Sequence, residues 1–257
     1  MQKFHAGLVS VTFRHLAPGD VAALARRAGL AAIEWGADVH VPPGDAANAG
    51  AVAELTRNAG LTVAAYGSYL RMPTSTEAEV DSVMDTAVQL GAPMVRIWPG
   101  ERGRASHTYT PAERADVARA IDKAAASAAK HGLSLGLEYH PDTLTDNQAS
   151  SAALMADITA PNVYLYWQPS PGIDEAAALD ELDALGRHVA HLHVFAWDGA
   201  KARYPLQTAH SQWQRYIAAV PQGRWTGPRY AMLEFVAGDD PGAFLEDAET
   251  LKKMLNG

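Results

Sequence analysis

Three short apolar runs in this 257-residue chain end on groups that titrate or bind metals. They are Ser134-Leu135-Gly136-Leu137-Glu138 with His140 two residues on, Val189-Ala190-His191-Leu192-His193-Val194, and Tyr230-Ala231-Met232-Leu233-Glu234-Phe235. Side chains alternate faces along a strand, so Glu138 and His140 point the same way. An acid or imidazole closing an apolar strand is costly to bury unless it is paired or bound to a metal, so three such endings point to one shared site. Two glutamates and a histidine from separate strands can supply oxygen and nitrogen ligands to a divalent cation and leave positions open for substrate. Carboxylate-rich ligation without thiolate suits Mn, Mg, Co or Zn, and ligand type alone does not choose among them. Taken singly, a histidine or tyrosine at a strand end is more simply a satisfied rim residue, the reading given to His15, Tyr69 and His191.

Bringing strand ends together requires a scaffold, and the rest of the chain predicts one. Short apolar runs alternate with longer stretches of helical period. Strands are predicted over 6–12, 31–35, 62–67, 93–98, 134–138, 163–167, 189–195 and 231–235. Helices fill the gaps, over 20–28, 46–58, 76–90, 111–131, 149–157, 174–185, 212–220 and 241–255. Thr110-Pro111 opens the fourth helix, and glycines at 29, 60, 91 and 132 follow helix ends. Eight βα units in order, with no linker or composition break, predict an α/β fold: a parallel (β/α)8 TIM barrel with outer helices, one domain over 1–257. The longest connections, 196–211, 99–109 and 36–45, are all βα loops, which in this fold build the active face.

Further groups fall at strand ends under that fold: Glu34 with Trp35 and His40, Arg96 with Trp98, and Trp167 with Gln168. Four of the six tryptophans, Trp35, Trp98, Trp167 and Trp197, lie at or just beyond these ends. The plain reading is that they cap the core. The functional one is that some wall the C–H faces of a sugar ring while charged and hydroxyl groups between them bind its hydroxyls. Candidate substrate contacts are therefore Glu34, Trp35, His40, Arg96, Trp98 and Trp167.

Composition excludes several classes. A formal net charge of -8 argues against a surface built to grip nucleic acid phosphates or anionic lipid. The absence of cysteine removes disulfides, thiolate ligands and Cys nucleophiles together, and fits a cytoplasmic location. No apolar run approaches the ~18 residues of a membrane span. None of the six lysines (Lys3, Lys123, Lys130, Lys201, Lys252, Lys253) falls at an inward strand ending, so Schiff-base chemistry has no evident nucleophile, with loop residue Lys201 left open. The segment Val236-Ala237-Gly238-Asp239-Asp240 is acidic where many barrels hold a phosphate, which favours an unphosphorylated sugar. Arg102, Arg104 and Arg203 are the reservation. No motif fixes an oligomeric state, and a homo-oligomer stays open.

The stretches AAIEWGADVHVPPGD, MVRIWPG, LGLEYHPDTLTDN, HVAHLHV and MLEF, in this order, resemble the xylose isomerase-like barrels, often labelled sugar phosphate isomerase/epimerase, which also include endonucleases acting at abasic sites. The resemblance covers nearly the whole chain. It implies a divalent ion held by a Glu after strand five, an Asp after strand six, a His after strand seven and a Glu after strand eight. Matched onto this sequence, those are Glu138, Gln168, His193 and Glu234. Position 168 departs, since Trp167-Gln168-Pro169 stands where the family has Trp-Asp-Pro. The ligand set then carries two formal negative charges instead of three, which lowers divalent-ion affinity. Pro171 stands where sugar epimerases often have a further His. The resemblance implies isomerisation or epimerisation of a sugar or keto-sugar through an enediolate, with Glu138 and Glu234 as acid/base groups and His140 as a further catalytic candidate. A lyase acting on 3-keto-glycosides shares the first step, and a non-catalytic sugar-binding barrel is the reading in which the metal has been lost. The endonuclease reading fares worst at this net charge.

Overall fold

The computed structural model describes residues 4–256, so Lys3 and the outermost positions of the domain expected over 1–257 lie outside it. Eight parallel strands close a barrel in chain order: β1 (Phe4–Val9), β2 (Ala32–Gly36), β3 (Thr62–Met72), β4 (Met94–Pro99), β5 (Ser134–Glu138), β6 (Val163–Trp167), β7 (Val189–Val194) and β8 (Arg229–Leu233). Helices α1 (Pro18–Arg27), α2 (Ala46–Asn58), α3 (Glu77–Leu90), α4 (Pro111–Lys130), α5 (Gln148–Asp157), α6 (Glu175–Leu185), α7 (His210–Ala219) and α8 (Pro241–Asn256) follow the strands one by one. The fold is the (β/α)8 barrel that the alternating pattern predicts. Among the described residues, no helix is long and apolar enough to cross a membrane.

Helix starts follow from side chains that accept the free N–H groups of a first turn. Thr76 with Glu79 and Thr110 with Glu113 form reciprocal capping boxes at α3 and α4. At the other end of α3, Gly91 takes φ 72°, a left-handed conformation that glycine adopts without a Cβ clash. Two apolar layers result. Residues such as Ile33, Trp35, Leu137, Trp167 and Leu192 pack outward against the helices, while Val9, Met94, Tyr166, Tyr230 and Met232 fill the barrel interior.

Several strands differ from expectation, β8 among them, which runs Arg229–Leu233 where 231–235 is predicted. β1 stops at Val9, and Ser10–Phe13 turns into a short 3-10 helix whose Thr12 Oγ1 accepts from Phe235 N, closing the seam between β8 and β1. β7 stops at Val194. β3 runs on past Gly67 to Met72, because Ser68 Oγ donates to Arg96 O and the strand re-pairs with β4 at Arg71 and Trp98. Gly67 reads as a strand end in the sequence, yet it is a glycine for space: a Cβ there would sit 2.7 Å from Glu34 Oε1 and 3.0 Å from Arg96 Nη2.

Candidate active site at the carboxyl-terminal mouth

Inward-facing positions at the ends of β2, β4, β5, β7 and β8 bring Glu34, Arg96, Glu138, His193 and Glu234 together, all of them buried. Glu138, His193 and Glu234 each offer a ligand atom within 4.8 Å of the others. His193 Nδ1 lies 3.6 Å from Glu138 Oε1 and 3.5 Å from Glu234 Oε2, while its Nε2 lies 3.5 Å from Glu34 Oε2. With its Nε2 proton kept toward Glu34, His193 would present Nδ1 to an ion lying among the other two carboxylates, the arrangement in which a carboxylate orients a metal-ligating imidazole. His193 Nδ1 and Gln168 Oε1 are both buried without a hydrogen-bond partner. An unserved amide oxygen and an imidazole nitrogen set between two carboxylates make a donor set that fits a divalent ion, which would displace the proton from Nδ1.

Arg96 organises the carboxylates. Its Nε donates to Glu34 Oε1 at 2.8 Å and its Nη1 to Glu138 Oε2, which also accepts from Trp98 Nε1. Gln168 Nε2 donates to Tyr139 O at 2.8 Å and to Glu138 Oε1 at 3.3 Å. The amide thus turns its nitrogen to Glu138, a donor role beside the ligand role expected from its position. Glu234 accepts no comparable bond from guanidinium, indole or amide. Burial raises every carboxylate here, but for Glu34 and Glu138 the charges of Arg96 and His193 outweigh it and hold both below the usual range. Glu234 is pushed up to about 7 by burial, which His193 only partly offsets. Burial lowers His193, but Glu234 and Glu34 reverse the sign and lift it to about 10.

One layer deeper, His191 is fully buried; its Nδ1 accepts from Tyr230 N at 3.1 Å and its Nε2 has no partner. Burial pushes its pKa down to about 3, against ~6.5 in an unfolded chain. Below about pH 6.5 the unfolded chain takes up a proton that the folded one refuses. The stability tied to this group is therefore present above that pH and is lost as pH falls toward 3. His191→Gln is expected to remove a slope of up to about 1.4 kcal/mol per pH unit, seen by comparing denaturant unfolding of both proteins from about pH 7 to about pH 5. Parallel pH curves would contradict it.

Above the cluster opens a cavity of about 220 Å³, lined by Arg96, Trp98, Glu138, His140, Gln168 and Glu234 from the expected set. His140 Nδ1 donates to Pro141 O at 2.7 Å, which leaves Nε2 as its free nitrogen, and its ring lies 5.6 Å from that of Trp98. Glu34 and His193 sit beneath, out of the cavity wall. Four of the expected substrate contacts are not brought to the cavity wall: Glu34, which lies beneath it, and Trp35, His40 and Trp167. Trp35 faces outward and donates to Thr56 Oγ1 on α2, and Trp167 faces outward toward Glu181, Trp213 and Tyr216. Each follows an inward residue or precedes one, so period 2 turns it away. His40 is buried between Ser10 Oγ and Leu16 O, tying the first two βα loops together. The wall instead recruits Arg14, Tyr69, Phe195, Trp197, Lys201 and Phe235. Of these only Trp197 carried a sequence signal as a candidate ring wall. Tyr69, read as a rim residue, reaches the cavity because β3 is longer than the sequence suggests.

A closed parallel barrel with a carboxylate–imidazole cluster at its carboxyl-terminal mouth defines the class of protein. The family model described as xylose isomerase-like TIM barrel matches residues 22–254, and the chain belongs to that family. No curated protein matches the sequence. Among solved structures, the probable 3-DHS dehydratase AsbF of Bacillus anthracis, involved in petrobactin synthesis, has 18% identity and a TM-score of 0.70 over 99% of each chain. A xylose isomerase-like TIM barrel protein of Mycobacterium smegmatis in complex with magnesium has 15% identity and a TM-score of 0.70 over 98% of this chain and 96% of its own. An L-ribulose 3-epimerase has 17% identity and a TM-score of 0.70, covering 98% of this chain and 94% of its own.

Proposed function

We propose that the protein is an isomerase or epimerase of an unphosphorylated sugar or keto-sugar, working with a divalent ion held by Glu138, His193 and Glu234. The observation that carries this reading is the convergence of those three buried ligands within 4.8 Å beneath a cavity walled by Trp98, Trp197 and Phe235. A divalent ion there supplies Lewis acidity that polarises a substrate carbonyl and its neighbouring hydroxyl. The chain's own groups do the rest. Glu234 takes the proton from the carbon beside the carbonyl and returns it to the adjacent carbon, its carboxylate accepting no bond from Arg96, Trp98 or Gln168. Arg96 holds Glu34 and Glu138 ionised, and His140 offers its free nitrogen to a substrate hydroxyl. The rings exclude water and receive the C–H faces of the sugar.

One observation favours a second outcome in the same site. Arg96, Trp98 and Gln168 bond both oxygens of Glu138, so of the two carboxylates that face the cavity Glu234 is the one that accepts no such bond. Epimerisation calls for proton transfer on both faces of a carbon, whereas a single base suffices for a 1,2-shift or for elimination. With a leaving group beta to the carbanion, the same proton abstraction makes the protein a lyase of oxidised glycosides.

Elemental analysis of the purified protein, followed by incubation of keto-sugars and 3-keto-glycosides with Mn, Co or Mg, decides among these. A product of unchanged mass supports isomerisation, and release of the substituent supports elimination. Neither metal uptake nor turnover would leave only the sugar-binding barrel.

A further inference from the structure

A second cavity of about 220 Å³ adjoins the first, and the two share the walls Pro169–Ser170–Pro171, Phe195 and Trp197. Either alone is smaller than the roughly 300 Å³ at which small-molecule pockets usually begin, while the two joined pass it. Phe195 and Trp197 stack with ring centroids 4.3 Å apart and stand as a ridge common to both. Gly172 on the loop after β6, which lines the second cavity, and Gly199 on the loop after β7 approach so closely that a Cβ on Gly172 would lie 2.8 Å from Gly199 Cα.

The lining states what the second cavity takes. No lysine, arginine or histidine faces it, and its one acid, Asp198, is spent on Ala200 N, Ala202 N and the Tyr204 hydroxyl. A phosphate, carboxylate or nucleotide would find no countercharge. What remains are the rings of Trp197 and Tyr204 and two neutral polar side chains, Ser170 and Gln212, the second donating its amide to the Tyr216 hydroxyl. Aromatic faces with neutral hydroxyl and amide groups between them match a pyranose, whose C–H faces are apolar and whose edges carry hydroxyls.

We propose that this cavity is a second sugar subsite, so that the substrate is a neutral disaccharide or glycoside with one ring over Glu138 and Glu234 and the next beyond the Phe195–Trp197 ridge. The inference rests on the sugar-isomerase or lyase reading of the first cavity and names the class of substrate it works on. The substituent beyond the ridge is the group that elimination would release.

Calorimetric titration of the full chain, with magnesium present, using glucose against maltose, cellobiose and trehalose, and phenyl β-glucoside as a separate arm, tests this. At least one disaccharide is expected to bind roughly tenfold more tightly than glucose, about 1.4 kcal/mol. That advantage should vanish in Thr208→Trp, which fills the cavity from its exposed rim, and shrink in Tyr204→Ala, with glucose binding unchanged in both. No disaccharide advantage, or one that survives Thr208→Trp, overturns the subsite. Tighter binding of phenyl β-glucoside than of every disaccharide overturns its assignment to a sugar. Turnover of a keto-sugar without disaccharide preference defeats the subsite alone. A disaccharide preference without any turnover defeats the isomerase reading alone.

Discussion

Replacing Glu234 by glutamine is expected to lower kcat by roughly 10²–10⁴-fold, the usual contribution of a positioned acid/base group, and to weaken divalent-ion binding, while the barrel stays folded. The substitution keeps the volume of the side chain and removes both its capacity to carry a proton and one anionic ligand of the candidate ion site, so metal content is measured beside the rate. Glu234 is the carboxylate in the cluster with no arginine bond, so its neutral replacement leaves the Arg96 pairs intact and takes from His193 one of the carboxylates beside it. Glu138→Gln makes the contrasting case. It also loses activity, but it deprives the Arg96 guanidinium of one of its two carboxylates, so its midpoint of unfolding should fall as well. Initial rates and thermal unfolding of the two variants side by side separate a proton-transfer role from a structural one. Full turnover by Glu234→Gln would remove this residue from the mechanism.

The second large effect belongs to Arg96. Its side chain is the fixed cation between Glu34 and Glu138, and all three are buried. Exchanging it for methionine keeps the apolar stem and strands two carboxylates in a low-dielectric interior. Breaking a buried pair in this way costs about 3–5 kcal/mol. In a chain of this length that corresponds to a fall in Tm on the order of 10 °C. The variant should also respond more strongly to divalent ions than the wild type, because a bound cation replaces part of the lost charge. Adding Glu34→Gln to Arg96→Met should recover part of the loss, the two residues being in contact and their effects non-additive. A Tm within about 2 °C of wild type would show that the carboxylates find other partners.

The scaffold was legible because its signals are local. β5, β6 and α2 begin and end where period and breaker residues predict, since each is a short run bounded by polar or glycine residues. The metal-ligand candidates were legible for the same reason: a carboxylate or imidazole closing an apolar strand stands out, and the closed barrel brings those strand ends together. Trp35 and Trp167 show where reading by residue type misleads. Each neighbours an inward group, Glu34 or Gln168, and the alternation that pairs Glu138 with His140 sends both indoles to the helix layer. Other features had no local signal at all. The bond from Arg96 to Glu34 joins residues 62 positions apart, and the length of β3 depends on how Gly67 fits against that pair. Phe195 and Phe235 face the cavity only because β7 and β8 stop one or two residues short of them.

The seam that closes the barrel also governs how the chain is made. Phe235 reaches Thr12 across 223 positions, and β1 pairs with β8 from Phe4↔Arg229 to Leu8↔Leu233. During synthesis at about 5–20 residues per second, β1 therefore waits on the order of ten seconds or more as an open parallel edge. Glu34 and Arg96 can meet early on the ribosome, but the cluster is incomplete until Glu234 has emerged. A nonsense mutation ahead of β8 would leave a chain with two unpaired edges and without Glu234, a substrate for chaperones and proteases.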